Sequence, residues 1–161
     1  MTNNNIPKVI DLHKIDKRLS DINSERGDMP LQIDDMNKKI SSFTSQNKGH
    51  ETRSLEIEKR KVILTGDFTD KEKKIDDLNE QVYKVKSNKE YEALLLEIDH
   101  LNKENENNLT ELETFEEEIK SINESLDGNK EELGILNDKL VKTQNELDAA
   151  NASIEKEELD E

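Results

Sequence analysis

Residues 75–98 read IDDLNEQVYKVKSNKEYEALLLEI. Ile75, Leu78, Val82 and Val85 stand alternately three and four residues apart, the polar run Lys86-Ser87-Asn88-Lys89-Glu90 interrupts them, and Tyr91, Leu94 and Ile98 resume the alternation. An apolar repeat averaging about 3.5 residues keeps one seam of a helix facing a partner as the two supercoil. A polar run between two such repeats marks a reversal. The stretch therefore predicts two helices that turn back on each other.

The pattern extends a long way in both directions. Upstream, the same steps pass through Ile33, Met36, Ile40, Phe43, Asn47, His50, Ser54, Ile57, Lys61, Leu64, Phe68 and Lys71. Downstream they pass through Leu101, Asn105, Asn108, Leu112, Phe115, Ile119, Ile122 and Leu126, then on to Ile154. The expected fold is all-α, a long antiparallel coiled-coil helical hairpin treated as one elongated domain over 1–161. At about 1.5 Å per residue its paired region predicts a rod of roughly 80 Å. A bend centred on Asn88 makes facing seam numbers sum to about 176, which sets Val85 opposite Tyr91, Leu78 opposite Ile98 and Phe43 opposite Leu133. The polar seam residues then meet as well, Lys71 with Asn105 and Asn47 with Asn129, and such layers fix register at a cost in stability. An antiparallel dimer of opened hairpins would use the same seam, so monomer and dimer both satisfy the pattern.

Three helices are expected. Val9, Leu12, Ile15, Leu19 and Ile22 predict a short helix over 7–26, closed by Gly27-Asp28-Met29-Pro30 and folded back over the end distal to the turn, near Met36 to Phe43 and Leu133 to Leu140. The long helices are expected over 31–86 and 88–157, with the turn at 86–90 and a frayed acidic tail at 155–161. Ser87 and Glu90 have the spacing of a capping box, in which a hydroxyl and a carboxylate satisfy each other's backbone amides, and this starts the last helix. Gly49 and Gly128 fall at nearly one level and predict a soft point there.

Composition narrows the function. With 39% charged and 30% hydrophobic residues and a mean hydropathy of -1.01, the chain holds too little apolar material for a globular core, although a two-helix seam needs far less. A net charge of -15 repels phosphate backbones and disfavours nucleic acid as a partner of this chain alone. There is no cysteine, which excludes disulfides and thiolate metal sites. Neither a long apolar span nor a signal-peptide pattern is present, so a soluble, cytoplasmic protein with no membrane contact is expected.

No residues suggest catalysis. His13, His50 and His100 lack a second histidine at helical spacing, and metal binding needs convergent ligands. Asp127-Gly128-Asn129 resembles the opening of a calcium loop without its later ligands. The carboxylate neighbours Asp76-Asp77 and Glu116-Glu117-Glu118 read as solvated faces of an acidic helix. The chain is therefore expected to be non-enzymatic and to hold no cofactor. The one local contrast is Lys84, Lys86 and Lys89, a basic tip on an acidic chain, with Ser87, Asn88, Glu90 and Tyr91 completing a candidate partner-binding site for an acidic group or a phosphate. Lysines standing in solvent at an ordinary turn would look the same.

The run Val85-Lys86-Ser87-Asn88-Lys89-Glu90-Tyr91-Glu92-Ala93-Leu94 closely resembles the turn of a bacterial family of helical-hairpin proteins with a C-terminal C4-type zinc ribbon, and Leu12-His13-Lys14-Ile15-Asp16 resembles that family's N-terminal segment. The resemblance covers most of the chain, with its specificity concentrated at the turn. It implies a cytoplasmic adaptor or regulatory protein that binds the sigma-54 transcription factor or flagellar and type III secretion components, and in some members RNA. The family's paired C-x-x-C motifs do not occur in these 161 residues, so the chain is either the N-terminal part of such a protein or a member without the ribbon. Zinc is expected only if a ribbon follows Glu161. Two other roles fit the same rod: a chaperone-like holdase or structural spacer using the three-helix end, and RNA binding through a ribbon.

Overall fold

The computed structural model describes residues 5–159, and of Glu25 its backbone alone. The described residues are all-α. They form α1, Ile6–Val82, and α2, Asn88–Leu159, joined by a turn at 83–87.

The seam accounts for which residues are covered. Between residues 31 and 86, every seam position from Ile33 to Val85 is buried or half-buried, and Asp67 is the one other residue that is not exposed. On α2 the same holds at each seam position from Leu94 to Ile154, while Tyr91 is 43% exposed and falls outside the seam to which the repeat assigned it. Helices this polar gain little from propensity alone, so burial of one stripe carries their tertiary stability.

The chain divides into two compact units. The first comprises residues 1–46 and 128–161, the second residues 47–127. The division falls beside Gly49 and Gly128, where the sequence predicts a soft point, and both glycines lie inside helix.

In the second unit Ile57, Leu64, Leu78, Leu101 and Ile122 are the buried apolar residues. Four ion pairs join α1 to α2: Arg53–Glu118 at 2.7 Å, Arg60–Glu111 at 3.3 Å, Lys71–Glu104 at 3.0 Å and Lys74–Glu97 at 3.1 Å. Residue numbers rise along α1 as they fall along α2. The polar layer expected at Lys71 and Asn105 takes a different form. Lys71 pairs with Asp67 and Glu104, while Asn105 donates to the Phe68 carbonyl at 3.4 Å.

The first unit corrects the expected N-terminal helix. Residues 7–26 are not separate: α1 runs unbroken through Gly27 and Pro30, so among the described residues no N-terminal helix folds back over Met36 to Phe43. Arg18 meets Glu157 at 2.9 Å instead, and Ile15 lines one groove with Ser153 and Lys156. The reason lies in the phase of the apolar residues. Ile15, Leu19, Ile22, Met29 and Ile33 are all half-buried and share one stripe, which a break at Gly27 would disrupt. Gly27 keeps a helical backbone with no positive φ, and Pro30 is exposed, so its ring meets solvent. At the other end α2 extends to Leu159 where it was expected to stop at 157. Ile154 is buried and Glu157 is paired, so the tail is helical as far as it is described; residues 160–161 lie outside the described residues.

Candidate functional site

The turn is built by two hydrogen-bonding devices. Helix α1 ends at Val82, four residues before the expected end at 86, because the Gln81 carbonyl accepts from the amides of both Lys84, at 2.9 Å, and Val85, at 3.1 Å. Shared acceptance of this kind closes the last turn of a helix. Helix α2 starts at Asn88, as expected, under the Ser87 cap: the Glu90 amide donates to Ser87 Oγ at 3.2 Å, and the Tyr91 amide to the Ser87 carbonyl at 3.1 Å. The reciprocal bond from the Ser87 amide to the Glu90 carboxylate is not formed among the described residues. Glu90 still lies in the first turn of α2, where a negative charge complements the helix dipole. The turn thus occupies 83–87, not 86–90.

These two caps set the display of the tip. Lys84, Lys86, Ser87, Asn88, Lys89, Glu90 and Tyr91 are all exposed, and none of the three lysines enters an ion pair among the described residues. Tyr83 joins them at 90% exposure. The chain has two tyrosines, and the structure places both beside this turn. Tyr83 was missed in the sequence, although its position between the seam residues Val82 and Val85 is a signal that it points away from the seam. A tip of three free ammonium groups and two exposed phenols can hold a carboxylate or phosphate by attraction and present flat apolar area beside it.

The remaining candidates do not assemble. His13 and His100 are exposed, and His50 is half-buried on the seam. His100 Nε2 lies 3.1 Å from Glu104 Oε1. No group of three or more His, Cys, Asp or Glu residues among the described residues is placed to hold a metal ion. Asp127, Gly128 and Asn129 are helical, and no loop forms there. Asp76 and Asp77 are exposed, as are Glu116 and Glu117, while Glu118 is bound to Arg53. No helix among the described residues is long and apolar enough to cross a membrane.

The most connected polar group lies along α1 and α2 in the second unit. Lys71 Nζ, on a side chain 20% exposed, stands 2.7 Å from Asp67 Oδ2 and 3.0 Å from Glu104 Oε2. Asn108 Nδ2 also donates to Asp67 Oδ2, at 2.8 Å. The Lys71 hydrogen bond, then that of Asn108, holds the Asp67 carboxyl below its usual range; Lys71 does the same to Glu104, and the two carboxylates raise Lys71. Arg53 lowers Glu118 likewise and lies 6.0 Å from the Phe115 ring centroid. The heptad spacing of Glu97, Glu104, Glu111 and Glu118, matched by Arg53, Arg60 and Lys74, is a signal the sequence contained.

Comparison with models of protein families, with curated protein sequences and with solved structures finds no match.

Proposed function

We propose that the chain is an antiparallel coiled-coil hairpin acting as a non-enzymatic adaptor, which offers the tip at 83–91 to an acidic segment of a protein partner. Support for the pairing comes from the ion pairs: residues 53, 60 and 74 of α1, spaced in sevens, meet residues 118, 111 and 97 of α2. Flanking contacts between equivalent heptad positions, with numbers running in opposite senses, are what an antiparallel seam requires. The observation that carries the functional reading is the tip itself. Lys84, Lys86, Lys89, Tyr83 and Tyr91 are exposed together on a chain of net charge -15. Charge of one sign concentrated on a surface of the other sign steers a complementary partner to that place.

The resemblance of residues 85–94 to the hairpin turn of the zinc-ribbon family names the first partners to try, the sigma-54 factor and flagellar or type III secretion components, in the cytoplasm. In this reading these 161 residues carry no cofactor. Pull-downs with the wild-type chain and with Lys86→Glu/Lys89→Glu test it. The double variant is expected to lose the partner, whereas Lys59→Glu/Lys73→Glu, which changes as much charge away from the tip, is expected to retain it. Equal recovery by all three removes the tip from the proposal.

A second reading has one observation in its favour. Ile6, Val9, Ile10 and Leu12, at the start of α1, are 49–63% exposed, a surface suited to a holdase that grips apolar segments. Suppression of client aggregation that disappears in Val9→Ser/Leu12→Ser but survives the tip variant would favour it.

A further inference from the structure

The first turns of α1 carry an apolar face that the seam does not use. Ile15, Leu19 and Ile22 are half-buried, whereas Ile6, Val9, Ile10 and Leu12 are exposed. At about 100° per residue these four side chains cover an arc of about 160°, and its centre stands roughly 130° around the helix from that of Ile15, Leu19 and Ile22. Helix α2 packs on the seam side, where Arg18 meets Glu157, and leaves this face bare.

Charge is arranged around that face. Lys8 and Lys14 stand about 40° beyond its two edges, and Asp11 lies opposite its centre. Both lysines are exposed and enter no ion pair among the described residues. Residues 6–18 hold four basic and two acidic side chains, on a chain of net charge -15. His13 falls inside the arc and is exposed, with a ring that can keep its polar edge in water. An apolar arc bordered on both sides by lysine suits a helix lying at the boundary of lipid and water, since the lysine stems cover apolar surface while the ammonium groups reach the headgroups. A single partner helix would ask for a narrower stripe.

We infer that residues 6–14 dock on the surface of an anionic lipid bilayer, with the apolar arc in the headgroup boundary and Lys8 and Lys14 against the lipid anions. The contact lies on the membrane and does not cross it, and among the described residues no helix is long and apolar enough to do so. A chain without a long apolar span is expected to avoid membranes, but an interfacial helix needs no such span. Four apolar residues make the attachment weak and reversible. The face is separate from the tip and does not depend on it.

Co-sedimentation of the whole chain with vesicles tests the inference, comparing phosphatidylcholine alone with phosphatidylcholine mixed with phosphatidylserine. Binding to the mixed vesicles should be stronger by roughly tenfold or more, since each lysine at an anionic surface adds about fivefold, and should weaken as salt is added. Lys8→Gln/Lys14→Gln should remove most of that difference. Val9→Ser/Ile10→Ser should lower binding to the mixed vesicles by roughly tenfold. Lys59→Gln/Lys73→Gln makes the same change of charge elsewhere on α1 and should alter binding by less than about twofold. The chain has no tryptophan, so Ile10→Trp supplies a single reporter, whose emission should shift to the blue on the mixed vesicles. All of these positions are exposed, and circular dichroism establishes that the helices remain.

Equal binding to the two kinds of vesicle, or a tryptophan whose emission does not move, would overturn the inference. A loss in Lys59→Gln/Lys73→Gln as large as that in Lys8→Gln/Lys14→Gln would reduce the effect to general attraction and overturn it too. Light scattering without lipid that shows a dimer dissolved by Val9→Ser/Ile10→Ser would assign the face to a second copy, with the same consequence. Protection of a client that this variant loses, with no binding of vesicles, would assign it to the holdase reading. Lys86→Gln/Lys89→Gln leaves the face intact and should retain vesicle binding, so the tip and the N-terminal face can fail independently.

Discussion

Lys71 shows how much one side chain carries. It sits on the seam, where the repeat asks for an apolar residue, and its ammonium touches Asp67 and Glu104 together. Both carboxyls are lowered by it, so the stability they contribute is present above their unfolded values near 4 and is lost as pH falls through the lower folded values. Lys71→Met should reverse the sign. Two carboxylates that met at one ammonium lie within about 6 Å of each other, and without the cation one is pushed up, so acidification from about pH 7 to about pH 5 should stabilise the variant. Wild type should be flat or fall over the same window. Urea unfolding at a series of pH values reads the sign, with His100→Gln in both backgrounds because His100 also faces Glu104. Parallel curves would show that Lys71 does not bridge the pair. The seam position of Lys71 could be read from the repeat. Its two partners could not, since Asp67 and Glu104 lie off the seam and meet only when the helices do.

Breaks and boundaries are decided at the scale of the element. Gly27 and Pro30 are the usual punctuation of a helix end, and a sequence reading places one there. The structure runs helix through both because Leu19, Ile22, Met29 and Ile33 stay in phase, and the stripe they form outweighs one lost backbone hydrogen bond. A measurable consequence follows. Pro30 inside a helix removes the amide that would bond the Arg26 carbonyl, so Pro30→Ala should raise unfolding free energy by about 3 kcal/mol. A proline in the first turn of a separate helix would give a change near zero. Gly66→Ala calibrates the experiment: it lies in α1 with nothing within 4 Å of an added Cβ, so it should add about 1 kcal/mol. Denaturant melts of the two variants compare them directly. The end of α1 was legible only to within four residues, because it depends on the Gln81 carbonyl taking two amides.

For the whole molecule, the pairing sense in the second unit is the point to measure. Glu56 and Thr114 are exposed, and the ion-pair ladder puts their levels side by side. Spin labels on Glu56→Cys/Thr114→Cys, diluted with unlabelled chain, should report an intramolecular distance under about 25 Å, given helix axes 8–10 Å apart and two label arms. If the turn opened into one straight helix, the 58 residues between the sites would set them about 85 Å apart. That distance would end the hairpin. The cysteine-free sequence makes the labelling specific.

The sequence by itself determined that the chain is helical, which residues form the covered stripe, and where α2 begins, because a 3.5-residue repeat and a serine cap are properties of the chain read in one dimension. Tertiary structure alone decided that α1 is continuous, which bases and acids pair between the helices, that Asn105 is left with an unused acceptor, and that Tyr83 stands in solvent. Each of these depends on which surfaces of two helices meet, and a local pattern on one helix carries no record of what faces it.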